Sequence, residues 1–306
     1  MPVIPNRLHF IWVGKPLPAK YADNIMFWIV SNPKYDVTLW TQEVFLERNM
    51  TELFEAYQRK HGLGRILSTN LQYTDEGLTV TISEHATKLL TFNVHRIETM
   101  TPLTDPAILF EELASWANYG AASDILRMWV LHQSGGIYMD TDTYSPGGSI
   151  PCNINAPLGI LIHTQELDGK PSASSALLAS EKGSQQIKEM AEKYQQNYAS
   201  DFTFGPTGVT GTTRLHHTRF EAVEISRQVM GDMRRSEKDR AFAQRIFRDA
   251  FTTPTINRVC ATLDIPEDGL AVVSFELHSG FHPIIKSEGS WRPEDNRGTL
   301  TVFSLT

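Results

Sequence analysis

Residues 117–145, ANYGAASDILRMWVLHQSGGIYMDTDTYS, constrain the fold more than any other stretch of this 306-residue chain. Ile125, Met128, Trp129 and Leu131 recur at helical spacing, so the first half predicts a helix with one apolar face. Gly135 supplies the stop, because glycine readily takes the left-handed conformation that ends a helix. The run Ile137-Tyr138-Met139 is too short for a helix and suits an interior strand of an α/β sheet, whose carboxyl end is the usual ligand-binding edge. Asp140-Thr141-Asp142 then falls at the tip of that strand. Alternation along the strand predicts that Asp140 and Asp142 point the same way and Thr141 the other. In the helix, Asp124 and Arg127 are three apart and share a face.

Two carboxylates held this close in a buried setting repel, and one stays protonated unless a cation lies beside them. Oxygen-only ligands at this spacing suit Mg²⁺ or Mn²⁺, which keep coordination positions open for phosphate oxygens. The arrangement therefore reads as a metal held by the protein on one side and by a diphosphate on the other.

The string AASDILR…GGIYMDTD resembles the DXD sugar-binding region of retaining GT-A glycosyltransferases, notably the catalytic domains of the large clostridial glucosylating toxins. The yeast-type initiating α-1,6-mannosyltransferases carry a similar pattern. The resemblance implies an α/β GT-A fold: a Rossmann-like, mostly parallel sheet flanked by helices, forming a single domain over residues 1–306, with a helical insertion around 60–105 and a C-terminal active-site lid at 276–306. It further implies that Asp124 and Arg127 position the sugar hydroxyls, that Tyr138 packs beside the donor, and that Asp140, Thr141 and Asp142 meet the metal-bound donor. The implied cofactors are Mn²⁺ or Mg²⁺ and a UDP-sugar, with a GDP-sugar as the alternative donor.

The opening Pro5-Asn6-Arg7-Leu8-His9-Phe10-Ile11-Trp12-Val13-Gly14 predicts a first strand ended by glycine, and it resembles the IPKxIHxIWxG opening of the same enzymes. That likeness places Ile11, Trp12 and Val13 at the nucleotide, with Trp12 stacking on the base or lying in the core. Near the other end, Ser287-Glu288-Gly289-Ser290-Trp291 resembles the family's lid. It assigns Trp291 to the leaving-group phosphate, and Glu288 and Ser290 to the metal side.

Between these ends, residues 18–31 predict an amphipathic helix and Asp36–Thr41 a second strand, followed by a helix starting near Thr41 to Glu43. Strand and helix alternating at short intervals favour a parallel sheet with crossover helices. Leu78-Thr79-Val80-Thr81-Ile82 alternates like a strand, Glu84 to Leu90 predicts a short helix, and a further helix runs from Asp105 to about Trp116. Leu158 to Ile162 predicts a buried strand and Gln186 to Gln196 a surface helix. The stretch from Ala173 to Gly183 resembles the family's donor-sugar segment. The expected Asn is missing there; Ser172 and Ser174 stand nearby, and the sugar contact that the Asn makes in the family is not carried over. Phe204 to Thr210 resembles the family's Gly-Pro turn, and the charged run within 220–251 reads as a solvated helix or a protein-acceptor surface.

The net charge of −7 argues against a nucleic-acid partner. Two cysteines, Cys152 and Cys260, make a disulfide framework an unsuitable reading. No run of eighteen apolar residues and no basic-then-apolar leader is visible, so a soluble chain is expected, acting in a bacterial cytoplasm or delivered into a host cell. The acceptor is expected to be a protein side chain of a host target or a glycan. Asp140-Thr141-Asp142-Thr143 also fits the DxDx[TV] signature of haloacid-dehalogenase phosphatases, in which the first Asp attacks phosphorus. That motif normally opens its domain, whereas here it follows more than a hundred residues of α/β pattern. A binding module that has lost catalysis is the third reading, though neither carboxylate is missing.

Overall fold

The computed structural model describes residues 2–62, 66, 68–85, 88–115, 119–145, 147–167, 170–198, 201–203, 212–214 and 273–285. The strands are β1 (Arg7–Trp12), β2 (Asp36–Thr41), β3 (Ser68–Tyr73), β4 (Gly77–His85), β5 (Lys88–Arg96), β6 (Gly136–Met139), β7 (Thr143–Tyr144), β8 (Ile160–Leu167), β9 (Lys170–Ser180), β10 (Asp201–Thr203), β11 (Thr212–Arg214) and β12 (Ile284–Ile285). The α-helices are α1 (Ala19–Ser31), α2 (Leu46–His61), α3 (Pro106–Phe110), α4 (Tyr119–Ser134), α5 (Gln185–Tyr198) and α6 (Phe275–Ser279).

Eight strands form one sheet in the order β3-β4-β5-β2-β1-β6-β9-β8. Its centre, β5-β2-β1-β6, is parallel, and the strands added at both sides are antiparallel. Alternate residues of the central strands feed two cores on opposite faces. Leu8, Phe10, Val37, Leu39, Ile137 and Met139 join α1 and α2 in one; Ile11, Val13, Trp40 and Tyr138 join α4 in the other. Burial on both faces explains why β1, β2 and β6 read as nearly continuous apolar runs. This is the α/β arrangement, parallel at its centre, that the motif string implied.

Gly135 ends α4 as expected, at φ +62, with its N–H on the Leu131 carbonyl. Gly136 at φ +104 starts β6, and a Cβ there would stand 2.7 Å from the Arg7 carbonyl. The neighbouring strand thus passes too close for any side chain, and helix and strand turn within two residues. His9 completes this junction. Its Nε2 bonds the Gly135 carbonyl at 2.9 Å while Trp40 Nε1–H donates to Nδ1 at 3.2 Å, so the ring is a neutral tautomer with both nitrogens engaged. Burial, only partly opposed by the Gly135 bond, lowers its pKa to about 4.

Several expectations require correction. The described part of residues 60–105 is not a helical insertion: after α2 ends at His61 it forms β3, β4 and β5, then a short 3₁₀ turn, Ile97–Thr99. The helix expected from Glu84 to Leu90 is instead the junction of β4 and β5, with a register irregularity between Ser83 and His85. Alternating Leu78, Val80 and Ile82 decide the matter, because each is fully buried on one face of the sheet. The helix expected from Asp105 to about Trp116 is present in its described part, as α3 continued by a π-helical turn, Glu111–Ser115. The strand expected from Leu158 begins at Ile160, after Gly159 at φ +73. Among the described residues, no helix is long and apolar enough to cross a membrane.

Candidate active site

The helix-glycine-strand-acid string folds into a single cluster at the carboxyl end of β6. Arg127 Nη2 lies 2.9 Å from Asp124 Oδ1 and 3.4 Å from Asp140 Oδ1, so one guanidinium serves both carboxylates. Arg127 itself is 5% exposed. Its Nε–H also donates to the Ser123 carbonyl at 3.2 Å, which holds the side chain back along α4. The guanidinium carbon sits 4.5 Å from the centroid of the Tyr138 ring. A cation sandwiched between an aromatic face and two carboxylates is fixed in place and fully charged.

Tyr138 donates its hydroxyl proton to Asp140 Oδ1 at 2.6 Å, and Ser123 Oγ lies 3.0 Å from the same hydroxyl. Burial pushes the phenol well above its ordinary pKa, so it remains a donor. Tyr138, which the resemblance placed beside the donor, is 1% exposed and lies in the α4-side core. It stands one layer behind the surface and acts on Asp140. For Asp140, burial raises the pKa, and Arg127 and the Tyr138 bond offset this only in part, with Asp124 adding repulsion. The Asp140 side chain nevertheless stays 32% exposed to solvent.

The acids do not lie on a continuing strand. β6 stops at Met139, and Asp140-Thr141-Asp142-Thr143 is a turn closed by the Thr143 N–H on the Asp140 carbonyl at 2.9 Å. The Asp140 N–H in turn donates to the Ala176 carbonyl of β9 at 2.8 Å. Strand alternation therefore does not orient Asp140 and Asp142. Both acids ride on a four-residue turn instead, with Asp142 and Thr141 each 6% exposed.

Two residues that the sequence left unremarked hold this turn from below. Asn24 Nδ2 donates to the Thr141 carbonyl at 2.9 Å and the Thr143 carbonyl at 2.7 Å, and Trp28 Nε1–H donates to the Thr143 carbonyl at 2.9 Å. The signal for Asn24 was present: it interrupts the apolar face of α1 between Tyr21, Ala22 and Ile25, Met26. A polar side chain on such a face must find partners.

The C-terminal segment also reaches the turn. Ser274 bridges to Ile162, and β12 pairs with β7 so that Ile285 faces Thr143, directly after the acids. His163 Nδ1 and Glu276 Oε1 meet at 2.5 Å, and Glu276 Oε2 accepts from the Thr164 N–H and hydroxyl at 2.9 and 2.8 Å. Burial alone would raise the Glu276 pKa, yet the His163 and Thr164 bonds bring it below the usual range. Glu288, Ser290 and Trp291, the Gly-Pro turn after Phe204, the charged run in 220–251 and Cys260 lie outside the described residues.

At the amino-terminal strand, Ile11 and Val13 are 5% exposed and belong to the α4-side core, so their side chains are structural. Trp12 is 6% exposed, stacks at a tilt on Tyr21 with centroids 5.0 Å apart, and its buried Nε1–H has no hydrogen-bond partner. An orphaned donor at a strand end costs free energy unless something accepts from it. Ser172 and Ser174 lie in β9, the strand next to the acidic turn.

The donor set fits a hard divalent cation. Asp140 and Asp142 supply carboxylate oxygens, and both side-chain contacts to Asp140 fall on Oδ1. Among the described residues, no group of three or more His, Cys, Asp or Glu could enclose an ion. An ion here would complete its shell with water and ligand oxygens, as Mg²⁺ and Mn²⁺ do.

Residues 18–148 match the family described as "Glycosyltransferase sugar-binding region containing DXD motif", as the motif string implied. This stretch contains the whole cluster from Asn24 to Thr143. The chain is 25% identical over 201 residues to "Subversion of eukaryotic traffic protein A" of Legionella pneumophila, an alignment that covers 66% of this chain and 26% of that protein. It therefore spans about a quarter of the length of the relative. Among solved structures it is similar to "PaToxG Glycosyltransferase", at 18% identity and TM-score 0.49 over 90% of this chain and 89% of that one. It is also similar to the catalytic domain of alpha-toxin from Clostridium novyi, at 13% identity and TM-score 0.49 over 90% of this chain and 77% of that one.

Proposed function

We propose that this chain, a glycosyltransferase by the sugar-binding region it carries over residues 18–148, is a metal-dependent enzyme that moves a hexose or N-acetylhexosamine from a UDP-sugar to an acceptor hydroxyl with retention of anomeric configuration. The observation that carries this reading is the acidic turn at the end of β6, in which Asp140 is joined to Asp124 through Arg127 and Asp142 follows two residues later.

A bound Mn²⁺ or Mg²⁺ would supply the positive charge that neutralises the diphosphate as it leaves. Asp140 and Asp142 would hold that ion, with Glu288 and Ser290 as its further protein contacts. Arg127 is committed to two carboxylates, so its part is to keep Asp124 and Asp140 ionised and still rather than to bind phosphate. Asp124, a third exposed at its side chain, then faces the sugar hydroxyls as an acceptor. Trp12 stacks at the nucleotide, its unpartnered N–H offering a donor. Trp291 donates to the leaving phosphate oxygen and, as part of the 276–306 segment, limits entry of water. Attack comes from the face the leaving group departs, which retains configuration without a covalent enzyme intermediate.

For the acceptor, we infer a protein side chain of a host target and action after delivery into a host cell. The similarity to a relative named for subverting eukaryotic traffic supports this reading.

The test is release of free nucleotide from a panel of UDP- and GDP-sugars with Mn²⁺, with Mg²⁺ and with EDTA, comparing wild type with Asp140→Asn/Asp142→Asn. Metal-dependent turnover of one donor, lost in the double variant, is expected. No turnover of any donor, alongside metal-dependent hydrolysis of a simple phosphate ester, would overturn the reading.

A further inference from the structure

We propose that Asn24 and Trp28 of α1 are positioning residues for the acidic turn, holding the backbone on which Asp140 and Asp142 sit in the shape that takes the divalent ion. The inference rests on the reading of that turn as a cation and diphosphate site.

The geometry is unusually directed for a helix packing on a sheet. Asn24 and Trp28 are four residues apart and so share one face of α1. Three donor contacts leave that face, and all three end on carbonyls of the turn, those of Thr141 and Thr143. The Asp140 carbonyl is already taken by the Thr143 N–H. The Thr141 and Thr143 carbonyls, on either side of Asp142, are therefore fixed by side chains more than a hundred residues away in sequence.

Stability alone does not account for this choice. Asn24 is 6% exposed in a face otherwise lined by Tyr21, Ala22, Ile25 and Met26. An apolar side chain there would bury area without desolvating an amide, and a buried polar group fully satisfied by partners confers a single conformation more than it confers free energy. What needs a single conformation here is a turn that carries two carboxylates of like charge on backbone whose carbonyls these donors fix. Residues that orient metal ligands without touching the metal commonly have this character.

Trp28 carries a second connection. Its ring meets Phe281 edge-on, with centroids 5.9 Å apart, just before β12 pairs with the residues after the acids. The same side chain therefore bears on the turn and on the segment that leads into β12, which pairs with β7.

The experiment measures Mn²⁺ affinity of the full chain without donor, from the free-Mn²⁺ electron paramagnetic resonance signal. Wild type is compared with Asn24→Leu and Trp28→Phe, alongside thermal melts in EDTA. Asn24→Leu removes two of the three contacts and is expected to weaken Mn²⁺ binding about tenfold or more while retaining a cooperative melt. Trp28→Phe keeps the ring packing and leaves Asn24 on the same carbonyl, so a smaller loss, about threefold, is expected. Variants that bind Mn²⁺ as wild type does, even with lowered melting temperatures, would show a purely structural role and overturn the proposal. If Asn24→Leu does not fold, Trp28→Phe decides by the same criterion. A wild-type chain that binds no Mn²⁺ overturns the metal reading itself and this inference with it, whereas wild-type binding with unaltered variants overturns only this inference.

Discussion

Tyr138 donates its phenolic hydrogen to Asp140 Oδ1 across 2.6 Å from a position two residues earlier in the chain. The bond favours the ionised carboxylate in a place where burial disfavours it. Tyr138→Phe removes the donor and keeps the ring beneath Arg127. The expected result is a fall in kcat/KM of about tenfold, equivalent to ~1.4 kcal/mol. The acid limb of the pH–rate profile should also move to higher pH, because the carboxyl then protonates more readily. An unchanged acid limb would remove Tyr138 from this role.

Arg127 answers to two carboxylates at once, so its loss should exceed the loss of either partner contact. Arg127→Met leaves Asp124 and Asp140 facing each other with no cation between them, at an expected cost of ~1–3 kcal/mol in folding free energy after allowance for their partial exposure. Asp124→Asn should cost less. In urea denaturation, the Arg127→Met/Asp124→Asn double variant should be less destabilised than the sum of the two single changes.

His9 ties stability to pH in a stated direction. The unfolded chain takes up the proton near pH 6.5, but the folded chain only near 4. Its contribution is complete above pH 6.5 and is lost progressively as the pH falls towards 4. At pH 5 the loss is about 2 kcal/mol, at ~1.36 kcal/mol per pH unit. His9→Gln, which retains a donor and an acceptor, should flatten that part of the stability curve. Melts of both proteins between pH 7.5 and 5 would show whether the slopes differ.

Glu276 fastens α6 to β8 through His163 and Thr164. Glu276→Gln weakens the pairing with His163 and is expected to raise amide hydrogen exchange in residues 273–285 by about tenfold, with little change in the central strands. The contribution is present at neutral pH and fades in acid as the carboxyl, held below its usual range, finally protonates. Uniform exchange across the sheet in the variant would place the contact in global stability instead.

Much of the architecture was legible in the chain because the signals are local. The apolar runs at 7–12 and 36–41, the amphipathic helix from 19 to 31 and the glycine pair at 135 and 136 each act over a few residues, and each became the element expected of it. Residues 68–96 were harder. There the alternation of Leu78, Val80 and Ile82 was visible, but the register irregularity at the Ser83/His85 junction disguised the strand that follows as a helix. The site divides in the same way. Asp124 with Arg127, and Asp140 with Asp142, could be grouped by spacing, whereas the polar interruption at Asn24 pointed to a partner without saying which.

The chain by itself determined the parallel centre of the sheet and the helix-glycine-strand-acid string, because period, glycine conformation and apolar runs are properties of neighbours. Only the tertiary structure decided that the acids ride on a turn rather than a strand, that Tyr138 lies behind Asp140, and that α1 holds the turn from 117 residues away. It also decided that His163 meets Glu276 across 113 residues. Such contacts arise when distant donors and acceptors must be satisfied in one buried volume, and no local pattern encodes which of them will meet.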